Sequence, residues 1–451
     1  MMTITAACVT DAYIRNEKLA QAVELTRFPA ELERCWGPRM LNRPLFTRTS
    51  ELQQTSSDLG DLFGLLAALP ERLFNGDTAA YCAAIGIGEK RLAMIEKFSS
   101  GPPLLFGRAD LYNDETGFKI LEFNLSSKLG GMDMCEFQSS LLRNPDFATF
   151  ASRYELRYTH TGERIAHALR VASASITDGR TPRVGVVCAP GEMAVHERMV
   201  ASFAGTMRRV GVEITIGELG RLSSSHGTLR LNDAPIDVAF RFFSMGDVLM
   251  HPEAMKQAEL LFRAHHDGVA VLWTPMNYAL VSNKGTLALV SAAADSALLS
   301  TDERAVIDRL VPWTRILDDD LIDYCRRHRE ELVLKPLHGA AGVGVTAGWA
   351  CDERRWTAAL RDASAASVPN ELDVADRWVV QRRIVPRVET VVDPFTATVQ
   401  DWVAAWSVFL TPEGDAGAFA RVAPASSSPV IGYSINPDVR MAGVFSIGAA
   451  R

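Results

Sequence analysis

The chain has 451 residues, 47% hydrophobic and 22% charged, the make-up of an ordinary soluble globular protein with length for two or three domains. Its 54 Asp and Glu outnumber its 47 Lys and Arg, and the formal charge of −7 argues against nucleic acid or an anionic membrane as the main partner. Seven scattered cysteines, a start without a positive n-region, and no run near the ~20 apolar residues of a membrane span lead to the expectation of a cytoplasmic protein with reduced thiols.

Residues 1 to about 100 show helical apolar periodicity, for example Leu62, Phe63, Leu65, Leu66 and Leu69, and carry no evident chemistry. From Leu104 to Asn124 the pattern changes to two strands joined by the turn-forming run Asn113-Asp114-Glu115-Thr116-Gly117. Alternation places Leu105, Ala109, Leu111, Leu121 and Phe123 on an apolar face, and Arg108, Asp110, Glu122 and Asn124 on the opposite one. With Tyr112 paired to Phe118, Arg108 falls opposite Glu122, and Asp110 opposite Ile120. Two carboxylates and an amide carbonyl on one face are hard oxygen ligands suited to Mg²⁺ carrying a nucleotide phosphate, and an adjacent arginine can clamp a phosphoryl group. An exposed hairpin with a cross-strand Arg-Glu pair has the same pattern.

A loop at Ser126–Gly131 then leads to a helix over Met132 to Leu142, in which Glu136 faces either the site or solvent, and a helix near Thr161 to Ala174 follows. Strands at Arg183–Cys188, Val212–Ile216 and Ile236–Phe243, alternating with helices, predict a small parallel sheet, and a further strand is expected at Val269–Trp273. The loop Ala189-Pro190-Gly191 lacks the remainder of a dinucleotide fingerprint.

Beyond it, Asn283-Lys284-Gly285 opens a helix, where an ammonium beside free N–H groups suits phosphate. Ser300-Thr-Asp-Glu303 is a capping box, and a helix is expected over Asp319 to Arg329. The strand ending at Lys335 runs into a loop bearing Gly339, Gly342 and Gly344, whose backbone could approach a phosphate, although no Walker A Lys-Ser/Thr follows. A plain hairpin turn fits that loop equally. His338 reads as a loop histidine. Arg326–Arg329 and Arg382-Arg383 read as solvated basic faces, and Asp362 to Asn370 as an exposed connection. The strand Trp378–Pro386 offers backbone groups and Gln381 to an adenine ring. Strands at Trp402–Leu410 and Ala418–Val422 follow, the second placing Arg421 between apolar neighbours, where it needs a partner such as an anion.

In this order the motifs resemble the circularly permuted ATP-grasp ligases, most nearly the synthetase part of glutathionylspermidine synthetases. In an ordinary ATP-grasp enzyme the metal-binding Asp, Glu and Asn follow the ATP-binding lysines, whereas here Arg108, Asp110, Glu122 and Asn124 precede Lys284 and Lys335. The resemblance implies an α/β (α+β) fold, a circularly permuted ATP-grasp with a parallel pre-ATP-grasp lobe. Its expected divisions are a helical region plus metal-binding hairpin (1–175), that lobe (182–275) and ATP-binding subdomains (276–451). It implies that Asp110, Glu122 and Asn124 hold Mg²⁺ and that Arg108 binds the transferred phosphoryl group. Lys284 and Lys335 would contact ATP phosphates, the Gly339, Gly342 and Gly344 loop would cover them, Gln381 would line the adenine pocket, and Arg421 would assist at the substrate carboxylate or acyl phosphate.

The reaction so implied is ADP-forming amide synthesis from a small-molecule carboxylate and an amine, with a carrier-protein thiol as an alternative acceptor and phosphorylation alone as another outcome. A binding protein with a degenerate site is the non-enzymatic alternative. Two departures limit the likeness. Ala340 and Ala341 stand where the related synthetases usually carry an Arg-Glu pair, and no amidase unit with paired Cys and His is legible before the hairpin, so glutathione and spermidine are not carried over.

Overall fold

A computed structural model describes residues 5–99, 101–339, 342–364, 373–374, 377–392, 396 and 398–448. Ala340 and Ala341, and residues 365–370 of the expected connection, lie outside the described residues, while Asp362 and Ser364 belong to the helix Glu353–Ser364. The N-terminal region is helical, its longest helix being Thr49–Phe74, which buries Leu59, Leu62, Leu65, Leu66 and Leu69 along one face. One strand, Leu45–Arg48, interrupts this region and was not apparent from periodicity, being only four residues long.

That strand belongs to the largest sheet, of eight strands, whose main path runs Leu45–Arg48, Arg440–Ile447, Gly414–Pro424, Val399–Thr411, Gly107–Asp114 and Gly117–Asn124. The first pair is parallel and the others antiparallel. The long strand Val399–Thr411 pairs on one side with both Val388–Val392 and Gly107–Asp114, so the hairpin reaches the sheet through its first strand.

The chain next forms a four-stranded sheet in the order Val271–Trp273, Val238–Phe242, Arg183–Cys188, Glu213–Glu218, every neighbouring pair parallel. Val184, Val186, Val238 and Phe240 are fully buried, as the near-continuous apolar runs of a sheet covered on both faces require. Glu136, in the helix Cys135–Leu141, is buried and paired with Arg209 at 2.8 Å, so it faces neither solvent nor a cleft.

A third sheet is antiparallel, in the order Thr314–Ile316, Trp378–Arg382, Leu332–Pro336, Thr346–Ala347. Its core is Leu332, Leu334 and Val380 packed on Trp356 and Leu360 of the helix Glu353–Ser364. The helix expected over Asp319 to Arg329 is instead a 3-10 turn, Asp319–Leu321, followed by Ile322–Arg327. The helix Lys284–Ala293 flanks this sheet, and Asn283 caps its start by accepting from Gly285 N at 2.7 Å.

Candidate active site

The hairpin differs from its expected register in a way that matters for the site. Its loop is tighter than five residues: Asp114 pairs with Gly117, and the Asp114 carboxylate accepts from Thr116 N at 2.7 Å. Further along, Asp110 pairs with Glu122 but Leu111 pairs with Ile120, which leaves Leu121 as an extra residue, a β-bulge. Asp110 therefore stands opposite Glu122, and Arg108 opposite Asn124. The bulge also exchanges two apolar roles. Ile120 is fully buried in the core, while Leu121 lines a cleft.

Arg108, Asp110, Glu122 and Asn124 share one face. The Arg108 guanidinium donates from Nε and Nη2 to the two oxygens of Asp110, both at 2.9 Å, and from Nη1 to Gly130 O at 2.8 Å. Asn124 Nδ2 donates to Asp110 and to Glu122, each at 3.2 Å. From the neighbouring strands Ser407 Oγ donates to Asp110 at 2.8 Å, and Arg421 pairs with it at 2.9 Å. Arg421, between fully buried Ala420 and Val422, thus has a protein carboxylate as its partner. Burial opposes ionisation of Asp110, yet Arg108 and Arg421 together hold its carboxyl well below the usual carboxylate range.

Across the cleft, the third sheet and the helix Lys284–Ala293 present the two lysines. Lys284 Nζ lies 3.2 Å from Glu122 and donates to Gly339 O at 3.0 Å. Lys335 is buried and donates to Gln381 Oε1 at 2.7 Å and to the carbonyl of the bulged Leu121 at 3.2 Å. Burial pushes the Lys335 ammonium down to about 8, against the support of Glu122; nearby Lys284 lowers it further, and Asp110 favours its charge. Gln381 is itself buried, donates to Thr314 Oγ1 at 3.1 Å, and orients Lys335 from an interior strand of its sheet.

These groups face one another across an open cleft. Asp110, Glu122, Arg421, Lys284, Lys335 and Gln381 all line it, as do Gly339 and Gly342; Arg108, Asn124 and Gly344 are not among its lining residues. Val333, Val345, Trp349 and Ile384 add apolar lining, with the Arg383 guanidinium 4.4 Å from the Trp349 ring centre. Arg383 is therefore part of the cleft rather than a freely solvated charge. Gly342 has φ +80°, and a Cβ there would lie 2.5 Å from Val430, so the glycine loop packs directly on the segment Pro429–Gly432 that closes the cleft. His338 Nε2 donates to Gly86 O at 3.0 Å, and burial with Arg91 nearby pushes it down to about 4, consistent with a loop role.

Ser407, Thr314 and Trp349 were missed from sequence; Ser407 alone left a trace, as a hydroxyl in the otherwise apolar run Ala404–Leu410. For a metal, no cluster of three His, Cys, Asp or Glu side chains suited to an ion occurs among the described residues. The donor set here is two carboxylates and an amide, all oxygen, which suits Mg²⁺ provided phosphate and water supply the remaining positions. Glu122, partly exposed to the cleft, is open to such an ion.

No family model matches the chain. It is 23% identical over 337 residues to uncharacterised proteins of Mycobacterium tuberculosis and Mycobacterium bovis, a match covering 71% of this chain and 57% of theirs. The chain thus spans little more than half the length of these curated relatives. Among solved structures, a glutathione synthetase-like effector from Globodera pallida superposes with a TM-score of 0.56 at 13% identity, over 97% of this chain and 96% of that one. The two share a fold. That fold is mixed α/β with several sheets.

Proposed function

We propose that the protein is an ATP-dependent carboxylate–amine ligase of the circularly permuted ATP-grasp type. The observation that carries this reading is the juxtaposition of the acidic hairpin face with two lysines from a separate sheet and helix, Lys284 reaching to 3.2 Å from Glu122 in a cleft that both line. The cleft lining combines apolar and aromatic side chains with charged ones, as the base and the phosphates of a nucleotide require. The chain order, hairpin first and lysines after, supports the permuted arrangement, and the synthetase-like fold agrees with it.

In this reading Lys284 and Lys335 bind phosphate oxygens, the loop at Gly339, Gly342 and Gly344 covers them, and the adenine lies against Val345, Trp349 and Ile384. Gln381 acts by holding Lys335. Mg²⁺ would be held on the acidic face where Asp110, Glu122 and Asn124 converge, and would neutralise phosphate charge. Arg108 and Arg421 face the transferred phosphoryl group and the substrate carboxylate. A carboxylate oxygen attacks the γ-phosphorus as the bond to ADP breaks. The amine nitrogen then attacks the acyl carbon, phosphate leaves, and the nitrogen loses a proton. The chain's own contribution is positioning, charge stabilisation and exclusion of water.

Calorimetry of Mg-ATP on the wild type and on Glu122→Gln tests the site, followed by an ADP-release screen over acids and amines. Micromolar binding that weakens in the variant, with ADP release that requires an added amine, is the expected result. ADP release without any amine would make the protein a phosphotransferase, and absence of nucleotide binding would remove the enzymatic reading altogether.

A further inference from the structure

Between the strands Gly414–Pro424 and Arg440–Ile447 the chain runs through residues 425–439 without helix or strand, a length of irregular backbone that compact folds keep mainly where it serves a site. Its stretch 429–432 lines the cleft where two parts of the proposed machinery come together. A Cβ on Gly342 of the glycine loop would fall 2.5 Å from Val430, and Ile431 packs in one buried cluster with Ala405 and Tyr112. Ala405 stands in strand register between Arg421 and Tyr112. The segment therefore touches the glycine loop on one side and the row that carries Arg421 on the other.

What holds this segment comes from the other end of the sequence. Arg39, in the 3-10 turn Gly37–Arg39, donates from Nε to Val439 O at 2.9 Å, from Nη1 to Tyr433 O at 2.7 Å and from Nη2 to Asn436 O. Its guanidinium also lies 3.8 Å from the centre of the Tyr433 ring, which Trp36 meets edge-on at 5.1 Å. Arg39 is itself tied to the largest sheet: Met40 bridges Met441, and Leu41 N donates to Met441 O at 2.8 Å. Met441 is in turn the register partner of Arg421. Resting on the ligase reading above, we infer that Arg39 is a positioning residue of the cleft, which fixes the wall at residues 429–432 and so the spacing of the glycine loop and Arg421, between which nucleotide and acid must meet. A planar guanidinium carries five donors in a fixed fork and can hold three carbonyls at once; the ammonium of a lysine is a single point. The cleft thus depends on an N-terminal region that supplies none of its reacting groups.

The test follows backbone hydrogen exchange by mass spectrometry and, by calorimetry, the affinity for Mg²⁺ with a non-hydrolysable ATP analogue, in the wild type and in Arg39→Ala. The expected result is faster exchange confined to residues 425–439, unchanged exchange over the hairpin at 107–124, and an affinity about tenfold lower. Ser300→Ala, which removes a remote helix cap, controls for lost stability and should change neither quantity. Faster exchange spread over the whole chain, or an affinity equal to that of the wild type, overturns the inference. If Arg39→Ala does not fold, Arg39→Lys decides, because it keeps the charge and loses the fork. Local exchange with weaker nucleotide binding then supports the positioning role, and wild-type affinity refutes it. A wild type that binds no nucleotide defeats the ligase reading itself and is thereby told apart from failure of the inference.

Discussion

Lys335, to which we assign a phosphate-binding role, sits in an environment that works against its charge. Its ammonium is buried, held by Gln381 and a backbone carbonyl, and pushed down to about 8. Near neutrality it remains charged, but above about pH 8 the free protein loses the cation. Mg-ATP affinity measured by calorimetry should therefore decline above about pH 8, and Lys335→Arg should flatten that decline, because a guanidinium keeps its proton. The same depression costs stability below about pH 8 and is relieved as pH rises toward the ordinary lysine range, where the unfolded chain alone keeps the proton. An affinity that does not vary across this interval would remove Lys335 from the phosphate site.

The hairpin shows what a sequence discloses at the level of an element and what it withholds. At Gly107 a Cβ would fall 2.3 Å from Asn124 O and 2.7 Å from Leu125 Cα, both backbone atoms. Gly107→Ala should force the strands apart, lower stability by about 1–3 kcal/mol in denaturant titration, and weaken Mg-nucleotide binding with it. Ser300→Ala provides the contrast: it removes a helix cap remote from the cleft and should cost about 1 kcal/mol with nucleotide binding unchanged. The alternation that grouped Arg108, Asp110, Glu122 and Asn124, and the capping box at Ser300, were legible because local spacing encodes them. The bulge at Leu121 was not, since an inserted residue leaves composition unaltered and shows itself only against the partner strand. Nor were the contacts made to Asp110, because Ser407 and Arg421 arrive from strands roughly 300 residues away whose neighbours are uniformly apolar. Gln381 was read as an adenine contact on similar grounds, and its tie to Lys335 depends on a cross-strand neighbour, Thr314, that sequence spacing does not reveal.

At the scale of the molecule, the cleft lies between the largest sheet, which brings Asp110, Glu122 and Arg421, and the third sheet with its flanking helix, which bring Lys335, Gln381, Arg383 and Lys284. A ligand that bridges them stabilises the native state by mass action, about 2.7 kcal/mol at a hundredfold excess over Kd. Scanning calorimetry should show a rise in Tm with a non-hydrolysable ATP analogue and Mg²⁺, and no such rise in Lys284→Ala; equal shifts in both proteins would place the nucleotide elsewhere. The strand Leu45–Arg48 lies parallel to Arg440–Ile447, and Asp110 depends on Ser407 and Arg421. Ribosomal synthesis at about 5–20 residues per second separates these partners by tens of seconds. Throughout that interval the acidic hairpin has left the ribosome without its arginine from the later strand, and the sheet lacks the strands that complete it. A chain that stops before Ser407 therefore carries both hairpin acids, Asp110 and Glu122, without the hydroxyl and the guanidinium that the later strands bring to Asp110.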